Sequence, residues 1–203
     1  MTSSRAAILA RVRQNRPSAV ELPSLSQNWV QYDDVAEQFA QTVKMIGGTV
    51  AMVPTREEGQ RQLTQIEAYR ADAAQVSLVP GIGVSTIELE SLATPHELAQ
   101  LEWAILPGEF AVAENGAVWV TDRSIRHRAV YFLCEHLVLV VPRDAILHNM
   151  HQAYERLSGF AQEDHPPFAT MLAGPSKTAD IEQSLVIGAQ GPRSLTVLLL
   201  EET

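Results

Sequence analysis

The sequence predicts an α/β domain with a mostly parallel sheet flanked by helices. Short β-rich apolar runs alternate with segments whose apolar residues recur at helical spacing, and Gly, Pro or a capping residue marks the joins. The last run, Leu195 to Leu200, reads as a buried closing strand. Strand–helix alternation at this spacing is the pattern of an α/β architecture. At 203 residues the chain is long enough for one well-packed domain, and two would be cramped.

In order, Ser4 to Asn15 places Ala7, Ile8 and Val12 among Arg5, Arg11, Arg13 and Arg16, which predicts a short amphipathic helix with a basic face. Pro17 to Gln31 reads as an extended arm, lying on its own domain or on a neighbouring subunit. The division is therefore an N-terminal helix and arm over residues 1–32 and one domain over residues 33–203. Asp33-Asp34 precede Val35, Phe39, Val43 and Ile46 at helical spacing, and Gly47-Gly48 end that helix. A strand at Thr49 to Val53 ends at Pro54, and Thr55 caps a helix through Leu63, Ile66 and Tyr69. Further strands are expected at Gln75 to Val79, Leu101 to Leu106, Ala117 to Thr121 and Leu137 to Val141, with a helix from Asp144 to Leu157.

Charge and cysteine usage narrow the function classes. A net charge of −9 disfavours nucleic acid as a partner, because a polyanion needs a basic surface, although a small anionic ligand remains possible in a local basic pocket. Cys134 is the one cysteine and lies in an apolar run, so a buried structural thiol is expected there. One thiol cannot form an intramolecular disulfide or supply the thiolates of an iron–sulfur cluster or Cys-rich zinc site. No run of 18 apolar residues and no signal-peptide pattern occur, which leads to the expectation of a cytoplasmic protein without membrane contact.

Two stretches carry candidate chemistry. Gly174-Pro175-Ser176-Lys177-Thr178-Ala179-Asp180-Ile181-Glu182-Gln183 reads as a tight turn entering a helix. Ser176 or Thr178 would cap its free N–H groups, and Asp180 and Glu182 would sit in the first turn. The same N–H groups, with Gly174, Ser176, Lys177 and Thr178, could hold a small anion instead of serving only as a cap. The second stretch is Phe110-Ala111-Val112-Ala113-Glu114-Asn115-Gly116. Glu114 between apolar runs could be partly desolvated, which would raise its pKa into a useful acid–base range. It could equally be the residue before an Asn-Gly hairpin turn.

The run from Gly174 to Gly188, followed by Gly191-Pro192-Arg193, resembles the C-terminal signature of the LUD-domain family, most closely the branch called lactate utilisation protein C. The Glu114-Asn115-Gly116 turn is similar to that family's Ala-Glu-Thr-Gly turn. The resemblance runs from about Asp33 to the end. It implies a Rossmann-like fold similar to that of ribose-5-phosphate isomerase, glucosamine-phosphate deaminase and coenzyme A transferases, with both motifs in a crevice at the C-terminal strand ends. Glu-Asn-Gly also resembles the turn carrying the catalytic glutamate of some coenzyme A transferases. Where the family usually carries Thr-Gly-Ala-Asp, this chain has Leu106-Pro107-Gly108-Glu109, so Glu109 replaces the aspartate.

The function implied by the resemblance is a cluster-free subunit or accessory protein of an L-lactate oxidising system. Its partners would be iron–sulfur proteins, and a homo-oligomer is possible. The alternatives are a stand-alone enzyme acting on a small carboxylate, thioester or sugar phosphate through Glu114, or a small-anion sensor; whether the chain is itself an enzyme stays open. No cofactor is implied, and no metal site is expected. His148 and His151 share a metal-ligand spacing without a third ligand, and His136 and His165 have no visible partner. Arg123, Arg126, His127 and Arg128 form a basic loop that, with Lys177, could line an anion pocket. No P-loop, nucleophile elbow or Gly-x-Gly-x-x-Gly pattern occurs, and Pro80-Gly81-Ile82-Gly83 is only a loop.

Overall fold

Helix α1 (Ser4–Gln14) opens the chain in a computed structural model that describes residues 3–21, 23–25, 27–123, 125–160, 167–179 and 184–201. Its arginines at positions 5, 11 and 13 leave the axis in different directions at 3.6 residues per turn, so the expected single basic face does not form.

Helix α2 (Val35–Met45) starts where Asp34 Oδ1 accepts from the Ala36 and Glu37 N–H groups, and it buries Ala36, Phe39, Thr42 and Val43. It stops at Ile46 because Gly47, at φ +87°, turns the chain into β1 (Thr49–Val53). The Thr55 hydroxyl accepts from Glu58 N–H to start α3 (Arg56–Thr64), which ends short of Ile66 and Tyr69. The remaining central strands are β2 (Gln75–Ser77), β3 (Trp103–Pro107), β6 (His136–Pro142) and β11 (Ser194–Leu200). They form a five-stranded, wholly parallel sheet in the order β1-β11-β6-β3-β2.

That sheet is apolar on both faces. Leu137, Leu139 and Val141 of β6 face one cluster with Leu195, Val197 and Leu199 of β11 and with Phe39 and Val43 of α2. Val138, Val140, Leu198 and Leu200 face the opposite way, onto Leu63 and Ile82. Burial on both faces explains why these strands read as unbroken apolar runs.

A second, four-stranded sheet was not expected as a sheet, although one of its strands is the one expected at Ala117 to Thr121. It has the order β7-β4-β5-β8 and comprises β4 (Phe110–Val112), β5 (Ala117–Thr121), β7 (Ile146–Leu147) and β8 (Ala169–Leu172). Ala111, Val118 and Val120 join the cluster that also holds Phe39, whereas Phe110, Val112 and Trp119 pack against Ala153 and Leu157 of α5 (Met150–Phe160). The helix expected from Asp144 is thus corrected: Arg143–Ala145 form one 3₁₀ turn, β7 pairs with β4, and α5 begins only at Met150. Short helix α4 (Val130–Leu133) leads into β6, and β9 (Lys177–Thr178) pairs antiparallel with β10 (Val186–Ile187). Among the described residues, no helix is long and apolar enough to cross a membrane.

Candidate functional site

Glu114 sits in the β4–β5 hairpin. Val112 pairs with Ala117 across a four-residue loop in which Gly116, at φ +69°, donates its N–H to Val112 O and Asn115 Oδ1 accepts from Ala117 N–H. The turn is fixed from outside: Ala113 N–H donates to Leu147 O and Glu114 N–H to His148 O. Glu114 Oε2 then accepts from Met150 N–H at 2.8 Å, while Asn149 Oδ1 accepts from Gln152 N–H. Two side chains thereby satisfy the first N–H groups of α5, where the helix dipole also favours a carboxylate. Glu114 is exposed, so the expected desolvation does not occur. Glu114→Ala is expected to destabilise the fold by about 0.5–2 kcal/mol through loss of this cap, measured by urea unfolding, with Glu114→Gln recovering part of the loss.

The Gly174-to-Thr178 stretch is a hairpin arm, not a helix start. Lys177 pairs with Ile187 and Thr178 with Val186; Ser176 N–H donates to Pro192 O, and Gly188 N–H donates to Ser176 O. The expected helix N-terminus at Ser176 to Thr178 is corrected accordingly, since extended backbone has no macrodipole to attract an anion. Asp180, Glu182 and Gln183 lie outside the described residues. Lys177 is exposed, Ser176 and Thr178 are half-buried, and Pro175 is buried.

The two motifs meet on one side chain. A Cβ at Gly116 would stand 3.0 Å from Ile46 Cδ1, and a Cβ at Gly174 would stand 2.8 Å from the Ile46 carbonyl oxygen. A Cβ at Gly47 would stand 3.4 Å from Lys177 Nζ. The C-terminal end of α2 is therefore wedged between the two turns, and Thr42 Oγ1 ties it to Ala113 O at 2.9 Å. This junction lies at the start of β1 and β11, since Gly47 precedes Thr49 and Pro192 precedes Ser194. The motifs were expected at the C-terminal strand ends, and that placement is corrected. The crevice at those ends, about 390 Å³, is lined instead by Arg56, Val79, Pro80, Pro107, Val140 and Leu200. Arg56 donates from its guanidinium to Pro80 O there. Pro80, from the stretch read in the sequence as only a loop, borders this crevice.

The basic loop does not gather around Lys177. Arg123 faces Glu109 and the Phe160 ring, Arg126 and His127 both reach Leu92 O, and Arg128 lies over the Phe168 ring. Glu109 accepts from the Thr121 hydroxyl at 2.7 Å, and buried Tyr131 donates to Thr121 O. Burial, with Glu109 and Asp122 nearby, holds the Tyr131 phenol far above its ordinary pKa. Cys134 is buried as expected, and burial pushes its thiol up to about 12. His148 and His151 serve the arm: His148 Nδ1 accepts from Tyr32 N–H, and the His151 ring lies against Trp29. Asn149 Nδ2 donates to Val30 O, so the arm lies on its own domain at this end. His165 is outside the described residues.

His136 is half-buried, with Nδ1 2.8 Å from Ser194 Oγ and its ring stacked on Trp103. Burial lowers its pKa below the ordinary 6.5. The folded chain therefore binds this proton less readily than the unfolded chain. The stability from neutral His136 is present above 6.5 and lost as pH falls through the lower folded value. His136→Gln is expected to flatten the fall in melting temperature on the acid side of 6.5.

Comparison with known proteins gives the family. The LUD domain model matches residues 85–200, more than half of the chain. Lactate utilization protein C of Bacillus pumilus is 26 % identical over 105 residues, 51 % of this chain and 44 % of that protein. The uncharacterized protein YkgG of Escherichia coli is 30 % identical over 105 residues, 51 % of this chain and 46 % of its own length. The match therefore spans less than half the length of each of these curated relatives. A crystal structure of a DUF162 family protein from Deinococcus radiodurans is similar with a TM-score of 0.60 at 19 % identity, over 82 % of this chain and 96 % of that one, a likeness of fold alone. With the family model covering residues 85–200, this chain belongs to the LUD-domain family.

Proposed function

We propose that this chain is a cluster-free subunit or accessory protein of an L-lactate utilisation system that works with iron–sulfur partner proteins. The observation that carries the reading is the likeness to several proteins named lactate utilization protein C, at 26–30 % identity over roughly half of the chain. The donor set agrees with it: the single, buried thiol cannot supply the usual four thiolates, so clusters must be held by other subunits. We place the fold with the ribose-5-phosphate isomerase and coenzyme A transferase group on the strength of its parallel sheet.

A small anion bound at the hairpin would rely on the exposed ammonium of Lys177 and the hydroxyls of Ser176 and Thr178, with Gly174 shaping the turn; calorimetric titration of lactate against wild type and Lys177→Ala tests that part. The exposed position of Glu114 and its bond to Met150 N–H favour a cap over an acid–base role. Disrupting the gene should abolish growth on L-lactate as sole carbon source while growth on pyruvate continues. Unimpaired growth on L-lactate would contradict the proposal.

A further inference from the structure

The crevice of about 390 Å³ at the C-terminal ends of the parallel strands has no task in the role proposed above. Its opening follows from the topology. After β1 the chain crosses to the face where α3 packs Leu63 into the cluster of Val138 and Leu198. After β3 and β6 it leaves by the opposite face, through Ala111 and Ile146. Loops that part in this way leave a gap above the strand ends, the position where open α/β sheets hold ligands. The volume falls within the range of small-molecule sites.

The lining names the ligand chemistry. Val79, Pro80, Pro107, Val140 and Leu200 give apolar walls, and Arg56 is the one charged residue among the described residues that line the crevice. Arg56 is half-buried. Among the described residues its guanidinium donates from Nη1 to Pro80 O at 3.1 Å and makes no ion pair. A guanidinium carries further N–H donors, so most of the fork stays open. By contrast, Arg61, Arg70, Arg143 and Arg193 each face a carboxylate. The acids closest in sequence to the lining are otherwise engaged or turned to water: Glu58 pairs with Arg61, Glu201 pairs with Arg143, and Glu57 is exposed. Gly81, at φ +81°, lets its loop back the stem of Arg56, since a Cβ there would stand 3.4 Å from Arg56 Cβ.

We propose that this crevice binds a monocarboxylate bearing an apolar chain or ring. Its carboxylate sits on the Arg56 guanidinium, and its apolar body lies along Val79, Pro107, Val140 and Leu200. A guanidinium meets a carboxylate with two parallel hydrogen bonds, and the two charges balance. A dianionic phosphate would keep uncompensated charge beside apolar walls. L-Lactate is too small to use the site, because its single methyl group would leave most of the wall in water. The crevice is therefore separate from the hairpin considered for a small anion, and its ligand is independent of the lactate role.

Calorimetric titration of the purified full chain with octanoate, octan-1-ol and L-lactate tests this. Wild type should bind one octanoate per chain, roughly tenfold or more tightly than octan-1-ol, and should not saturate with L-lactate over the same concentration range. Arg56→Gln should bind octanoate no better than octan-1-ol. Pro107→Glu, at an exposed wall position, should weaken octanoate by a similar factor, because it places a like charge in the crevice. Neither position is fully buried, so both variants should keep nearly the wild-type melting temperature. The comparison of the three compounds on wild type decides the matter even if a variant fails to fold. Absence of saturable octanoate binding, octan-1-ol or L-lactate binding as tight as octanoate, or an Arg56→Gln chain that keeps the wild-type preference would each overturn the proposal.

Discussion

Phe39→Ala is expected to lower the unfolding free energy by about 3–5 kcal/mol, the range for truncating a fully buried aromatic side chain. The ring has no exposed surface and sits on α2 between Ala36 and Val43, in the cluster that joins α2, the parallel sheet and the second sheet. The cavity left behind cannot collapse easily, because its walls are strands of two separate sheets. A domain of this size should lose roughly 6–20 °C in melting temperature as a result. Phe39→Leu, which fills most of the volume, should cost less than half as much. Urea denaturation with matched m-values is the check, and a loss below about 1 kcal/mol for Phe39→Ala would mean that α2 is not part of the central core.

Gly174→Val should cost about 2–4 kcal/mol, for two separable reasons. The position holds φ +71°, where a β-branched residue is strained by roughly 1–2 kcal/mol. A Cβ there also stands 2.8 Å from the Ile46 carbonyl oxygen, and backbone cannot swing aside as a flexible side chain can. Gly159→Ala is the contrasting control. That glycine lies in α5 with nothing within 4 Å of its Cβ position, so alanine should stabilise by about 0.5–1 kcal/mol through helix propensity. Equal effects of the two substitutions would remove the argument that the family-matched turn is a packed joint on α2.

The elements legible in the sequence were those whose cues are local. Asp34 and Gly47 bracket α2, Thr55 starts α3, and strands β6 and β11 are apolar at nearly every position because both of their faces are buried. Of the second sheet, β5 was legible as the strand expected at Ala117 to Thr121, whereas other pieces are short and paired at long range: β7 has two residues, and β4 has three. Asp144 looks like a helix cap, yet Asn149 and Glu114 perform that task for α5, the latter from a hairpin 36 residues away. Gly-Pro-Ser-Lys-Thr is locally a good helix entry as well. What makes Lys177 and Thr178 a strand is pairing with Val186 and Ile187, extended by Gly188 N–H donating to Ser176 O, none of which a capping pattern reveals. The two motif turns were legible as a pair worth noting, but their meeting point, Ile46, is set by tertiary packing of α2 and carries no signal of its own.

The most direct test of the proposed role is L-lactate-dependent dye reduction by the iron–sulfur proteins purified with and without this chain. Activity should require the chain, although the chain alone, carrying one buried thiol, should bring no iron and reduce no dye. Full lactate oxidation in its absence would contradict the account, as would lactate oxidation by the chain alone.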